Sequence, residues 1–318
     1  MQRRNAKRER DVMRELQHPF VANLSFAFQN EDKLYMGMEF FNGGDLRYHL
    51  GLHTRGELIL NHERIVFYAS ELVAGIAHIH SLGILYRDLK PENVLLAGDG
   101  HIRIVDFGLS KNEGRDGDGS TTLAGSPDYV APEVLLASGK KKSSGGGSSA
   151  STTSSSDRSS SVLGYDKGCD WWSLGILIFE MYVGRTPFKD ANTSIMYRNI
   201  VEGDLFLPPD LPQEVKSLLR GLIERDATQR LGASEAVPFS IMTHDYFAAI
   251  DWEALQRKEL TPPWLPDVIS ESDAKYIDDE FASQQPMDTP EWRMLDSVDR
   301  EREHFDDFTY VPKQNNFK

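Results

Sequence analysis

The chain has 318 residues with 49 acidic against 35 basic side chains and a net charge of −14; its isoelectric point near 5.1 argues against a nucleic-acid binder, whose electrostatic footprint is a basic face. Its 40% hydrophobic content suffices for a sizeable core, as one large domain or two lobes. One cysteine, Cys169, excludes an internal disulfide framework and a multi-cysteine zinc site, so a reducing compartment, cytosol or nucleus, is expected.

In chain order, residues 1–17 read as a helix with Val12, Met13 and Leu16 on one face, closed by His18 and Pro19. Its basic start leads into no signal-peptide apolar core, and no later apolar run is long enough to span a bilayer. The runs 21–28 and 33–41 flank a polar turn and predict a hairpin, which Gly43 and Gly44 end. From 62 to 82, Ile65, Val66, Ala69, Leu72, Ile76 and Ile79 recur at helical spacing, with Gly83 as the stop. Residues 94–96 and 102–105 read as a short hairpin across Gly98, Asp99 and Gly100. The Ser, Gly, Thr and Lys composition of 138–162 predicts a disordered insertion, because it cannot offset the entropy of ordering. Helices are expected over 171–182 and 212–224, and an extended, charged, aromatic-punctuated tail beyond about 265.

The chemistry concentrates in 86–93, Tyr-Arg-Asp-Leu-Lys-Pro-Glu-Asn, and in Asp106-Phe107-Gly108 after the short hairpin. These resemble protein-kinase signatures, with Tyr86 in place of the usual histidine. Phosphoryl transfer accounts for each residue type. A hydroxyl nucleophile needs a proton acceptor, which Asp88 supplies, while Lys90 neutralises charge on the transferring group. Magnesium needs hard oxygen ligands, offered by Asn93 and Asp106. Any one of these alone reads as a solvated loop residue; the ordered set does not.

Further motifs narrow the match. Ala131-Pro132-Glu133, the run Asp170-Trp171-Trp172-Ser173-Leu174-Gly175 and Arg230 within 226–232 repeat it downstream, and the tail carries Asp288-Thr289-Pro290 and Phe305-Asp306-Asp307-Phe308-Thr309-Tyr310. Together they resemble AGC-group serine/threonine protein kinases, such as protein kinases A and B and the ribosomal-protein S6 kinases, over nearly the whole chain. The resemblance implies an α+β, two-lobe protein-kinase fold with an incomplete small lobe over 1–41, a mostly helical large lobe over 42–266 and a regulatory tail over 267–318. It implies ATP and Mg2+, with Glu9, Met38, Glu39, Phe41 and Asp45 at the nucleotide and Asn93 and Asp106 also at the metal. It implies phosphosites at Thr122, Thr289 and Thr309, with Arg87 and Lys111 as phosphate partners of Thr122, and a buried ion pair between Glu133 and Arg230. Asp45, Glu92 and Ser126 match peptide-recognition positions that favour an arginine before the acceptor hydroxyl. Arg198 stands where some relatives carry a glutamate that selects a second arginine. Expected partners are protein substrates with basic motifs and an upstream activating kinase; nucleic acid and a membrane span are not expected, and the state expected is a monomer.

Glu9 matches the glutamate that normally pairs with a strand lysine on the ATP phosphates, yet no such lysine and no Gly-rich loop precede it. Either the sequence belongs to a longer enzyme, or it is a short form with little catalysis. The intact catalytic motifs favour the first. The alternative is a kinase-like scaffold that binds basic peptides; a small-molecule kinase is a distant third.

Overall fold

The computed structural model describes residues 2–30, 33–112, 125–143, 166–277, 282–283 and 308–312. Helix α1 (Gln2–Glu15) buries Val12 and Met13, and Leu16 just after it, against an antiparallel pair, β1 (Leu24–Gln29) and β2 (Leu34–Met38). The chain then enters α2 (Leu46–Thr54), whose first turn is closed by the Asp45 carboxylate accepting from the Tyr48 amide at 2.7 Å. Helix α3 (His62–Ser81) is capped in the same way by Asn61. Such side-chain caps satisfy backbone donors that the helix cannot pair itself.

Two small antiparallel ladders follow: β3 (Ile84–Leu85) pairs with β6 (Lys111–Asn112), and β4 (Val94–Leu96) pairs with β5 (Ile102–Ile104). Helix α4 (Pro132–Ser143) continues past 138, so the segment 138–143 departs from the expected disorder. Lys140, Lys141 and Lys142 are good helix formers and extend the turn begun at Pro132. The rest of that insertion lies outside the described residues.

Helix α5 (Gly168–Val183) is the axis of the large lobe: every residue from Gly168 to Met181 is buried, and Gly184 ends it in the left-handed region at φ 79°. Around it pack α6 (Thr193–Glu202), α7 (Gln213–Leu222), α8 (Phe239–Met242) and α9 (Trp252–Gln256). The expected Glu133 and Arg230 pair is present and bidentate, at 2.6 and 2.9 Å, and the guanidinium also donates to the carbonyls of Gly168 and Glu224. Four of the buried cation's five N–H donors are then directed at acceptors, the kind of satisfaction under which such a pair is tolerated.

The tail returns to the small lobe. Phe308 is fully buried, Tyr310 exchanges two backbone hydrogen bonds with Ala27 on β1, and Arg10 of α1 donates to the Phe308 carbonyl at 3.1 Å. Among the described residues no helix is long and apolar enough to cross a membrane.

Candidate active site

The β4–β5 hairpin holds the two motif loops side by side, because the Val105 amide donates to the Asn93 carbonyl at 3.0 Å. Asp88 is buried, and each of its oxygens is engaged. Oδ2 accepts from Lys90 Nζ at 2.7 Å and from the Asn93 amide at 2.9 Å; Oδ1 accepts from Ser126 Oγ at 3.2 Å. The Asn93 amide also donates to the Asp88 carbonyl at 2.8 Å, which fixes the loop between them.

The backbone is strained in both motif loops. Arg87 and Asp106 adopt φ of 68° and 60°, a left-handed conformation unfavourable for side-chain-bearing residues. What holds Arg87 is Asp170 at the start of α5: its carboxylate accepts from the Tyr86 amide at 3.0 Å, the Arg87 amide at 2.7 Å and His80 Nε2 at 2.7 Å. Asp106 is exposed, and one oxygen accepts from the Gly108 amide at 3.1 Å. Tyr86, where a histidine is usual, is fully buried beside Phe107, and its hydroxyl donates to the Val105 carbonyl. Burial pushes the Tyr86 hydroxyl pKa well up, so it remains a neutral donor. Ser126 approaches Asp88 through Gly125, whose φ of 100° and closeness to the Arg87 carbonyl, 2.7 Å from where a Cβ would stand, require glycine.

Beside this cluster opens a cleft of about 900 Å3 lined by Met38, Glu39, Phe41, Asp45, Glu92 and Tyr276, among others. Its volume and largely apolar walls with a few carboxylates suit a drug-sized organic ligand. The Asp45 carboxyl is raised above the usual range, first by burial and also by the charge of Glu92. Glu9 is likewise raised, by burial and then by Asp106, which places it beside the second motif. Ile277 also lines the cleft, while 278–281 lie outside the described residues.

Thr122 and Thr289 lie outside the described residues; Thr309 is exposed between the docked Phe308 and Tyr310. Arg87 donates to the Leu109 carbonyl, and Lys111 sits partly exposed on β6. Three features beside these loops and the cleft escaped the sequence reading: the Asp170 carboxylate, Tyr276, and the Arg47, Tyr129 and Glu180 network. Asp170 belongs to a run read only as a downstream motif of the match.

Residues 1–247 match the protein kinase domain family, and residues 268–310 match the protein kinase C terminal domain family. The chain is 40% identical over 310 residues to Protein kinase 2 of Dictyostelium discoideum, covering 96% of this chain and 58% of that protein. It is 39% identical over 284 residues to ribosomal protein S6 kinase 2 beta of Xenopus laevis, covering 89% and 40%. It is 38% identical over 305 residues to RAC-beta serine/threonine-protein kinase of Rattus norvegicus, covering 95% and 57%. The chain therefore spans between 40% and 58% of the length of these three relatives.

Proposed function

The chain belongs to the protein kinase family, with an AGC-type C-terminal region, and on that premise we propose that it transfers the terminal phosphoryl group of ATP to serine or threonine hydroxyls of proteins. The observation that carries this reading is the Asp88 carboxylate, buried, oriented by Lys90 and Asn93 and joined to Ser126. The bond from Ser126 to Oδ1 is long, so an incoming hydroxyl can share that oxygen, where Asp88 orients it and accepts its proton. Lys90 stays on Oδ2, placed to offset charge developing on the phosphoryl oxygens.

The residues present fit a magnesium ion. The Asn93 amide nitrogen is committed to Asp88, so its oxygen is the end left for a metal, and Asp106 presents a carboxylate to solvent on the adjoining loop. Bound there, the ion would supply electrostatic neutralisation of the phosphate oxygens. Met38, Glu39, Phe41 and Asp45 line the cleft that suits the nucleoside.

Substrates are read as proteins with an arginine before the acceptor, taken by Asp45 and Glu92. Regulation is read as phosphorylation of Thr122, Thr289 and Thr309 by an upstream kinase, in the cytosol or nucleus, on a monomeric enzyme. Support comes from the tail: a phosphate on exposed Thr309 would stand near the basic α1, whose Arg14 lies over the Tyr310 ring.

The test is phosphorylation of a degenerate Ser/Thr peptide library with Mg-ATP by the longest form the transcript encodes. Incorporation into Ser and Thr, lost in Asp88→Asn and in Asp106→Asn, is expected. Incorporation equal in both variants would overturn the reading.

A further inference from the structure

Arg47 lies on the solvent side of the first turn of α2, with its side chain 48% exposed, yet its Nη1 is 2.9 Å from Oε1 of Glu180, whose side chain is only 5% exposed. The second Glu180 oxygen accepts from the Tyr129 hydroxyl. Each oxygen of the buried carboxylate thus has a partner from within the molecule, one a cation and the other a phenol, and the group itself presents almost no surface. Glu92 bears on the same cluster, since its charge acts on both Arg47 and Tyr129.

Position matters as much as pairing. Arg47, Asp45 and Glu92 line one cleft, and Glu180 lies behind Arg47 without reaching the lining. Asp45 spends one oxygen on its helix cap, and among the described residues no ion pair engages Glu92. Arg55, the other arginine lining the cleft, is tied to Glu57. Two carboxylates therefore stand ready for an incoming guanidinium, and the third has its guanidinium already.

We propose that Arg47 is a built-in counter-ion that occupies Glu180 in place of a second basic residue of a bound peptide, so that recognition in this cleft is limited to a single arginine held by Asp45 and Glu92. The inference rests on the peptide-substrate reading above and adds a specificity-determining residue to it. A peptide arginine arriving at Glu180 must displace a guanidinium tethered by its own short helix, present at an effective concentration on the order of millimolar or more. It gains little by doing so. Arg198, which stands where some relatives carry a selecting glutamate, is exposed on α6 and does not line the cleft.

The test uses fluorescence anisotropy on the full chain with three alanine-based serine peptides. One has a single arginine three residues before the serine, one adds a second arginine beside the first, and the third moves that second arginine to the far end, keeping the net charge equal. Wild type is expected to bind the adjacent and distant two-arginine peptides within about twofold of each other, while Arg47→Leu prefers the adjacent one by about tenfold, the scale of one charge-assisted pair. The double variant Arg47→Leu/Glu180→Gln should return to about twofold.

An adjacent-arginine preference of about tenfold already in wild type overturns the proposal, as does none in Arg47→Leu. Because Arg47→Leu strands a buried carboxylate, Glu180→Gln provides a second measurement. It releases Arg47 towards the cleft and should weaken the single-arginine peptide about threefold or more, and unchanged affinity overturns the proposal. Absence of binding by any of these proteins also overturns it. The kinase reading is judged separately, by library phosphorylation and its loss in Asp88→Asn.

Discussion

Replacing Asp170 by asparagine preserves volume beneath the loop that carries Asp88 and removes half of an acceptor. The loop amides of Tyr86 and Arg87 donate to different carboxylate oxygens, Oδ2 and Oδ1, at 3.0 and 2.7 Å. An asparagine has one oxygen and one NH2 group, so in either orientation one loop N–H faces another N–H. A hydrogen bond to a charged acceptor contributes about 1.5–3 kcal/mol, and a stranded buried donor costs about 1–3 kcal/mol more. The variant should therefore lose about 3–5 kcal/mol, or about 10 °C in Tm for a chain of this size. Arg87, held at φ 68° by that bond, would relax and carry Asp88 with it. Urea unfolding followed by emission of the buried Trp171 and Trp172 on α5 reads the stability, and initial phosphorylation rates read the alignment, with kcat falling more than KM rises. A stability loss below about 1 kcal/mol with kcat unchanged would refute the assignment of Asp170 as the anchor of the loop.

Glu133→Gln breaks a pair whose guanidinium is 0% exposed and should cost about 3–5 kcal/mol in urea unfolding; a loss under about 1 kcal/mol would show that Gly168 and Glu224 carry Arg230 unaided. His49 is fully buried, and burial together with the charge of Arg64 lowers its pKa to about 4 from an ordinary 6.5. The unfolded chain then takes up the proton first, so this contribution is complete above pH 6.5 and is lost as pH falls to 4. Its size is about 3 kcal/mol, and the difference in pH dependence between wild type and His49→Gln measures it; parallel curves would contradict the burial argument. Phe308→Ala removes a fully buried ring from the tail, and about 3 kcal/mol of lost docking should speed hydrogen exchange at the Ala27 and Tyr310 amides about a hundredfold. Unchanged protection would mean that the backbone bridge holds without the ring.

Asp88, Lys90, Asn93 and Asp106 stand out in the sequence because they fall in two short contiguous motif runs, and that the runs lie side by side follows from the hairpin between them, itself readable from Gly98, Asp99 and Gly100. The Glu133 and Arg230 pair is legible only through the two motif contexts, since nothing in their separate sequences says that they meet. Asp170 and Arg47 act through tertiary contacts, with residues more than eighty positions away, and a single carboxylate at a helix start or a single arginine in a helix gives no local sign of its partner. Strands β3 and β6 have two residues each and exist by pairing with one another, so periodicity cannot register them. The end of α4 was misplaced for a different reason: composition marks a segment as unable to build a core, but three lysines at a helix end need none.

The tail beyond 265 raises the converse problem, where a buried cation in the helices has its explanation elsewhere in the chain. Arg64 on α3 is buried, an unusual state for an arginine inside a domain. Its guanidinium donates to the Tyr68 hydroxyl at 2.9 Å and lies 4.0 Å from the centroid of the Trp264 ring. His49 stacks on Tyr276 and meets Trp264 edge-on, while its Nε2 bonds to the Gly43 carbonyl at 2.7 Å. Asn42 donates to the Ser270 carbonyl at 3.0 Å, and Gly44 holds φ 78° where its Cα comes against the Tyr276 backbone, leaving no room for a Cβ. The aromatic residues here are therefore not scattered apolar surface: Trp264 at the end of the large lobe and Tyr276 of the tail together cover Arg64 and His49, and Tyr276 continues beside Gly44 into the wall of the cleft. Removing the tail would expose those groups and open that wall together, so the segment after the helical lobe packs as part of the cleft.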